Sequence, residues 1–170
     1  MDTHETLSQL EALHHDAFGW AVSCCAGDWH RGEDVLQAAY SKALSGAAKF
    51  SGRSSLRTWW FGVIRFTALE EAKRSVRWLA FLDRWRAEPE PEPQAIQIPE
   101  EDAAVAELTR ALRTLSERQR EVLHLTFYQR ISLSEAAEVM QITVGSARQH
   151  YERGKKRLRT ILQTRRALHE

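Results

Sequence analysis

ISLSEAAEVMQITVGSARQHYERGKKRLRTIL, residues 131–162, holds two helix starts separated by a short break, and its reading decides the fold of the chain's second half. Ser132-Leu133-Ser134-Glu135 is a capping box, in which the serine and glutamate side chains satisfy each other's unpaired backbone N–H groups at a helix start. A short helix follows, presenting Leu133, Ala136, Ala137 and Met140 to a core. It breaks at Gln141-Ile142-Thr143, and Thr143 is a residue type that caps the next helix. Two helices joined by so short a break form a helix-turn-helix.

In the second of these helices Ala147, Tyr151, Gly154, Leu158 and Ile161 recur at the spacing of one helical face. With those turned inward, Ser146, Arg148, Gln149, Glu152, Arg153 and Lys156 turn outward. These are residue types that read DNA grooves: Arg grips guanine O6 and N7, Gln pairs with adenine, and trailing cations neutralise phosphates. The plainer alternative is a solvated basic helix; the agreement of capping box, turn and outward face favours DNA contact.

Upstream, Ala104, Leu108, Ala111, Leu112 and Leu115 mark a helix ending near Ser116, and another from about Glu117 directs Val122, Leu123 and Phe127 inward. The first half reads as three helices. One carries Leu7, Leu10, Ala17, Trp20, Ala21 and Cys24 and stops near Gly27. A second opens around Glu33 with Val35, Leu36, Ala39, Tyr40 and Leu44. A third runs from about Ser55 with Trp59, Trp60, Val63, Ile64 and Ala68 on its apolar side. Neighbouring helical residues diverge by about 100°, so one of the two tryptophans belongs to the core, and Trp59 is the expected one. No alternating β-branched run or hairpin signal occurs. The expected fold class is all-α, with two small helical domains.

All four prolines fall between Pro89 and Pro99, in an acidic stretch without a base, AEPEPEPQAIQIPEED. This divides the chain into residues 1–87, a linker over 88–103, and residues 104–170. Repeated Glu-Pro favours an extended chain rising about 3.1 Å per residue, which would separate the domains; its negative charge would also keep it off DNA, and a merely solvated spacer is an equal reading of that charge. The net charge of +1 conceals segregation: an acidic start is followed by a basic run from Arg53 to Arg86, and cations crowd the tail after Thr143. Two basic segments suggest two contacts with a polyanion.

The 43% apolar composition fits packed domains, and no apolar stretch is long enough for a membrane span, so the chain is expected to be cytoplasmic. Two adjacent cysteines, Cys24 and Cys25, exclude a disulfide framework. Seven scattered histidines show no metal-ligand spacing, so neither metal nor cofactor is expected. No paired carboxylates or nucleophile with its base appear, which argues against an enzyme and a small-molecule substrate.

At this point a family resemblance emerges. LSERQREVLHLTFYQRISLSEAAEVMQITVGSARQHYERGKKRLRTIL, Leu115 to Leu162, resembles region 4 of sigma-70-family factors. EDVLQAAYSKAL (Glu33 to Leu44) and FSGRSSLRTWWFGVIRFTALEEAKR (Phe50 to Arg74) resemble region 2. With both regions in order, the chain is similar to extracytoplasmic-function (ECF) sigma factors, which bind core RNA polymerase and direct transcription initiation.

The resemblance implies roles for matching positions. Asp34, Val35 and Gln37 would dock on the polymerase's largest subunit, although Asp34 also suits a helix start by its charge alone. Arg53, Ser54, Arg57, Trp60, Arg65 and Lys73 would melt and hold the minus-ten element, a task that needs aromatic surface to replace base stacking and cations to hold the strand. Arg120, Ser146, Arg148, Gln149, Arg153 and Lys156 would bind the minus-thirty-five element; a surface ion pair is an equal reading of Arg120. An anti-sigma factor, often membrane-anchored, is the implied regulator. The chain departs from the family pattern at Phe66, where Asn is usual, and at Arg130 and Gln141, where Gly is common. If the turn at Gln141 needs positive φ, a non-glycine residue there costs roughly 1 kcal/mol. The rival reading is a helix-turn-helix regulator that acts without joining the polymerase; the basic, tryptophan-bearing first half argues against it. A third, suggested by Phe66 alone, is an interaction protein that kept the fold and lost DNA melting.

Overall fold

The computed structural model describes residues 3–82, 108 and 110–166; the expected linker over 88–103 lies outside the described residues. Among those residues all regular structure is helical. The chain divides into two compact units, Met1–Gln97 and Ile98–Glu170.

The first unit contains α1 (Thr3–Ala12), α2 (His14–Cys24), α3 (Trp29–Leu44) and α4 (Leu56–Leu82). The single helix expected before Gly27 is interrupted at Leu13, whose N–H closes a tight turn on the Leu10 carbonyl at 3.1 Å. Helix α3 opens ahead of Glu33 because the Asp28 carboxylate accepts from the Arg31 N–H at 3.0 Å. Ser55 does the same for α4, its hydroxyl accepting from the Thr58 N–H at 3.1 Å.

Helices α2, α3 and α4 pack on one another around Trp20, Ala21, Leu36, Ala39, Trp60, Phe61 and Ile64, all buried. The Trp20 indole donates to the Phe61 carbonyl at 3.0 Å, so its polar edge enters the core satisfied. The expected order of the two tryptophans is reversed. Trp60 is fully buried (0% exposed) beside Tyr40, whereas Trp59 is half-buried against Phe50. The reason is register: Trp60, Ile64 and Ala68 fall at i, i+4 and i+8 on the face toward α2 and α3, and Trp59 lies about 100° off it. Helices α2 and α3 meet closely at Gly32, where an added Cβ would stand 2.9 Å from the Val22 Cα.

The second unit contains a helical segment through residues 110–113, then α5 (Glu117–Leu123), a π-helical turn (His124–Tyr128), α6 (Leu133–Met140) and α7 (Val144–Arg166). Both α5 and α6 begin with capping boxes, Ser116 with Gln119 and Ser132 with Glu135. The π-helical turn corrects one expectation: Phe127, read as a core residue, is 61% exposed. The wider turn shifts the register after Leu123, so Leu125 fills the core while Phe127 swings out to stack on Tyr151 at 5.8 Å. Val139, not expected in the core, is buried with Ala136, Ala137 and Met140.

Within the π-helical turn, burial pushes the His124 imidazole down to about 4, so the folded state holds it neutral. The unfolded chain takes up this proton near 6.5. The second unit therefore keeps its full stability above about pH 6.5 and loses up to roughly 3 kcal/mol as the pH falls to 4. Circular dichroism melts across that range check this: a pH response no different from that of His124→Gln contradicts it.

Two substitutions probe the backbone. Gly32→Ala drives a methyl into the Val22 backbone and is expected to cost about 1–3 kcal/mol. Tryptophan emission reads this directly, since all six tryptophans precede residue 97. Gln141 ends α6 at φ 53°, a left-handed conformation, so Gln141→Gly is expected to stabilise the second unit by about 1 kcal/mol, measured as a rise in its denaturation midpoint.

Candidate nucleic-acid interface

The turn between α6 and α7 is built from backbone bonds. The Ile142 N–H reaches the Ala137 carbonyl at 3.0 Å and the Gln141 N–H reaches Glu138 at 3.1 Å, closing α6 in a Schellman motif. Arg118 adds a bond from α5 to the Met140 carbonyl at 3.3 Å. Thr143 then caps α7, its hydroxyl accepting from the Ser146 N–H at 3.1 Å. Ala147 and Gly154 turn α7 inward, and an added Cβ at Gly154 would lie 3.1 Å from Gln119 Cβ and Leu123 Cδ1 of α5.

That seat leaves Arg148, Gln149, Glu152, Arg153 and Lys156 exposed along one side of α7. Glu152, the acid among them, is paired with Lys155 at 3.3 Å. Ser146 is half-buried, and its hydroxyl accepts from Thr143 at 2.9 Å, so it is held within the cap. Arg120 stands apart from the row: it is half-buried and donates to the Leu115 carbonyl at 2.9 Å, a role in closing the preceding helical segment.

In the first unit the residues expected to act together separate into two groups. Asp34 and Gln37 lie exposed on α3, but Val35 points the other way, 3% exposed in the core with Leu36 and Ala39. Its position one residue after Asp34 rotates it onto the buried face. Arg53 and Lys73 are exposed and Ser54 is half-buried in a loop that turns at Gly52, φ +74°. Trp60 and Arg65 do not reach the surface; Arg65 is 5% exposed because it follows Phe61 and Ile64 around α4 toward the core. Arg57 is engaged internally, bonding Asp16 of α2 at 2.8 Å and lying 5.3 Å from the Phe61 ring centroid.

One further helix-start signal is legible in the sequence. Ser116-Glu117-Arg118-Gln119 carries the same capping pattern as Ser132 to Glu135. The exposed ring of Phe66, beneath Lys42 at 5.5 Å, lies on the opposite side of α4 from Ile64. Among the described residues no group of three or more His, Cys, Asp or Glu side chains is placed to hold a metal ion, and no helix is long and apolar enough to cross a membrane.

Comparison with known proteins agrees with this two-unit arrangement. Residues 10–79 match the family model for sigma-70 region 2, and residues 111–160 match that for sigma-70, region 4. The ECF RNA polymerase sigma factor SigX of Bacillus subtilis (strain 168) is 28% identical over 163 residues, spanning 91% of this chain and 82% of that protein. Among solved structures, the sigma factor RpoE in complex with the anti-sigma factor NepR from Bartonella quintana superposes with a TM-score of 0.73 at 21% identity, covering 94% of this chain and 97% of that one. CnrH, solved with the cytosolic domain of CnrY, gives a TM-score of 0.61 at 24% identity over 92% of this chain and 87% of that one. With a region 2 unit followed by a region 4 unit that carries a cationic helix-turn-helix, the chain belongs to the sigma-70 family of sigma factors.

Proposed function

We propose that this sigma factor works in the cytoplasm, joins core RNA polymerase and brings it to promoters by two contacts, leaving all chemistry to the polymerase. The observation that carries the reading is the exposed row Arg148, Gln149, Arg153 and Lys156 on α7. A helix seated this closely at Gly154 projects that row as a rigid edge suited to a major groove. Arg148 and Gln149 supply the base-reading pairings, and Arg153 and Lys156 the phosphate contacts, at the minus-thirty-five element.

The region 2 unit has the complementary tasks. Asp34 and Gln37 face outward from α3 and form the acidic-polar surface offered to the polymerase. Arg53, Ser54 and Lys73 flank the start and middle of α4 and would hold the separated minus-ten strand. The domain assignment follows: residues 1–87 serve the polymerase and the minus-ten element, 88–103 link the domains, and 104–170 serve the minus-thirty-five element. RpoE and CnrH were each solved with a protein bound, NepR and the cytosolic domain of CnrY. This chain is accordingly assigned an anti-sigma factor as its regulator, soluble or anchored in a membrane.

In vitro transcription from fragmented genomic DNA, with core polymerase in the presence and absence of the protein, tests the reading. New start sites sharing two spaced motifs are expected; DNA binding without new starts or polymerase association would favour a free-standing regulator. On a promoter found this way, Arg148→Ala is expected to cost about 1–3 kcal/mol of binding and to relax selection at one base of the upstream motif. An unchanged footprint and affinity would remove Arg148 from the interface.

A further inference from the structure

Helix α4 presents a row of positions on the side opposite its buried Trp60, Ile64 and Ala68. Trp59, Gly62, Phe66, Lys73 and Arg77 fall within about 60° of one another around the helix axis. Phe66 is 52% exposed, Lys73 and Arg77 are exposed, and Trp59 is half-buried. Between the two aromatics a Cβ added at Gly62 meets nothing within 4 Å, so the surface dips there. The two aromatic positions are about 10.5 Å apart along the axis.

Phe66 is also braced. The Lys42 ammonium lies 5.5 Å from its ring centroid, donates to the Thr67 hydroxyl at 3.0 Å and is ion-paired with Glu70. Glu70 is the acid beside the row, one turn beyond Phe66, and its charge is matched by Lys42. An exposed aromatic face, a dip, and cations further along one helix edge suit a flat ring attached to an anionic backbone. That is an unpaired base of single-stranded nucleic acid. A docking protein helix would call for contiguous aliphatic surface, and the exposed members of the row are aromatic or cationic.

We propose that Phe66 is a specificity-determining residue that stacks on one unpaired base of the opened minus-ten element, with Lys42 holding the ring in place. The proposal rests on the reading that α4 faces opened promoter DNA. A phenyl ring has no hydrogen-bond donor or acceptor, so it grips the face of the base and leaves its edge unread. Selection at that position follows stacking strength, favouring purines over pyrimidines, in place of a hydrogen-bonded code.

The test uses the full chain bound to core polymerase. Its probe is a fork-junction DNA with a single-stranded minus-ten strand, taken from a promoter the protein is shown to direct, and the variants are Phe66→Ala and Phe66→Trp. Phe66→Ala is expected to weaken fork binding by roughly 5- to 150-fold, with Phe66→Trp restoring it. One abasic position in the single strand should erase the difference between wild type and Phe66→Ala, identifying the stacked base. Equal fork affinity of wild type and Phe66→Ala overturns the proposal and leaves the sigma-factor reading intact. Weakened association of Phe66→Ala with core polymerase in the absence of DNA also overturns it, marking Phe66 as a protein contact. If the wild-type complex binds duplex promoter but ignores the fork, the DNA-facing role of α4 falls first and this proposal with it. Tryptophan emission from buried Trp20 and Trp60 confirms that each variant is folded.

Discussion

How closely its helices approach sets what each unit can present, and in both units a glycine sets that distance. At Gly154 the backbone of α7 comes so near α5 that an added methyl carbon would press on Gln119 and Leu123. The reading helix consequently rests directly on the Gln119 and Leu123 side chains with no side chain of its own at that point, and the direction of its outer edge is fixed along with it. Gly32 does the same where α3 meets α2. Protein interiors tolerate little change in packed volume, so the exposed faces of α3 and α7 inherit their orientation from these two contacts.

Electrostatically, the number of basic residues overstates the cationic surface. Arg57 is tied to Asp16, Lys42 to Glu70, Arg120 bonds the Leu115 carbonyl, and Arg65 is buried. These charges mostly hold helices to one another. Of the cations assigned to DNA, Arg53 and Lys73 in the first unit, with Arg148, Arg153 and Lys156 in the second, are the ones exposed toward solvent. The salt dependence of DNA binding reflects phosphates actually neutralised, so it follows this smaller set.

The helix-turn-helix was legible because its signals are local. A capping serine three residues before its glutamate, a break, and a capping threonine act within one turn and need no knowledge of the rest of the chain. The cost assigned to Gln141 was legible for the same reason, and its φ of 53° places it in the left-handed region. Burial was harder to read. Trp59 and Trp60 are adjacent and chemically alike, and only the position of α2 and α3 around α4 decides which becomes core. Val35 and Arg65 were assigned by family position to a surface that their own helices turn away from. Phe127 was misread because an inserted π-helical turn changes the register, and no residue in His124 to Tyr128 announces such an insertion.

Helix α3 separates its duties by face. Gly32, Val35, Leu36 and Ala39 are locked against neighbouring helices, while Asp34 and Gln37, on the same helix, touch none of that packing. Mutational drift on the outer face is thus uncoupled from folding: new side chains can be sampled there without disturbing the helix seat, whereas the inner face tolerates almost no exchange. Such a division lets partner preference diverge between descendants of one scaffold while the scaffold stays constant.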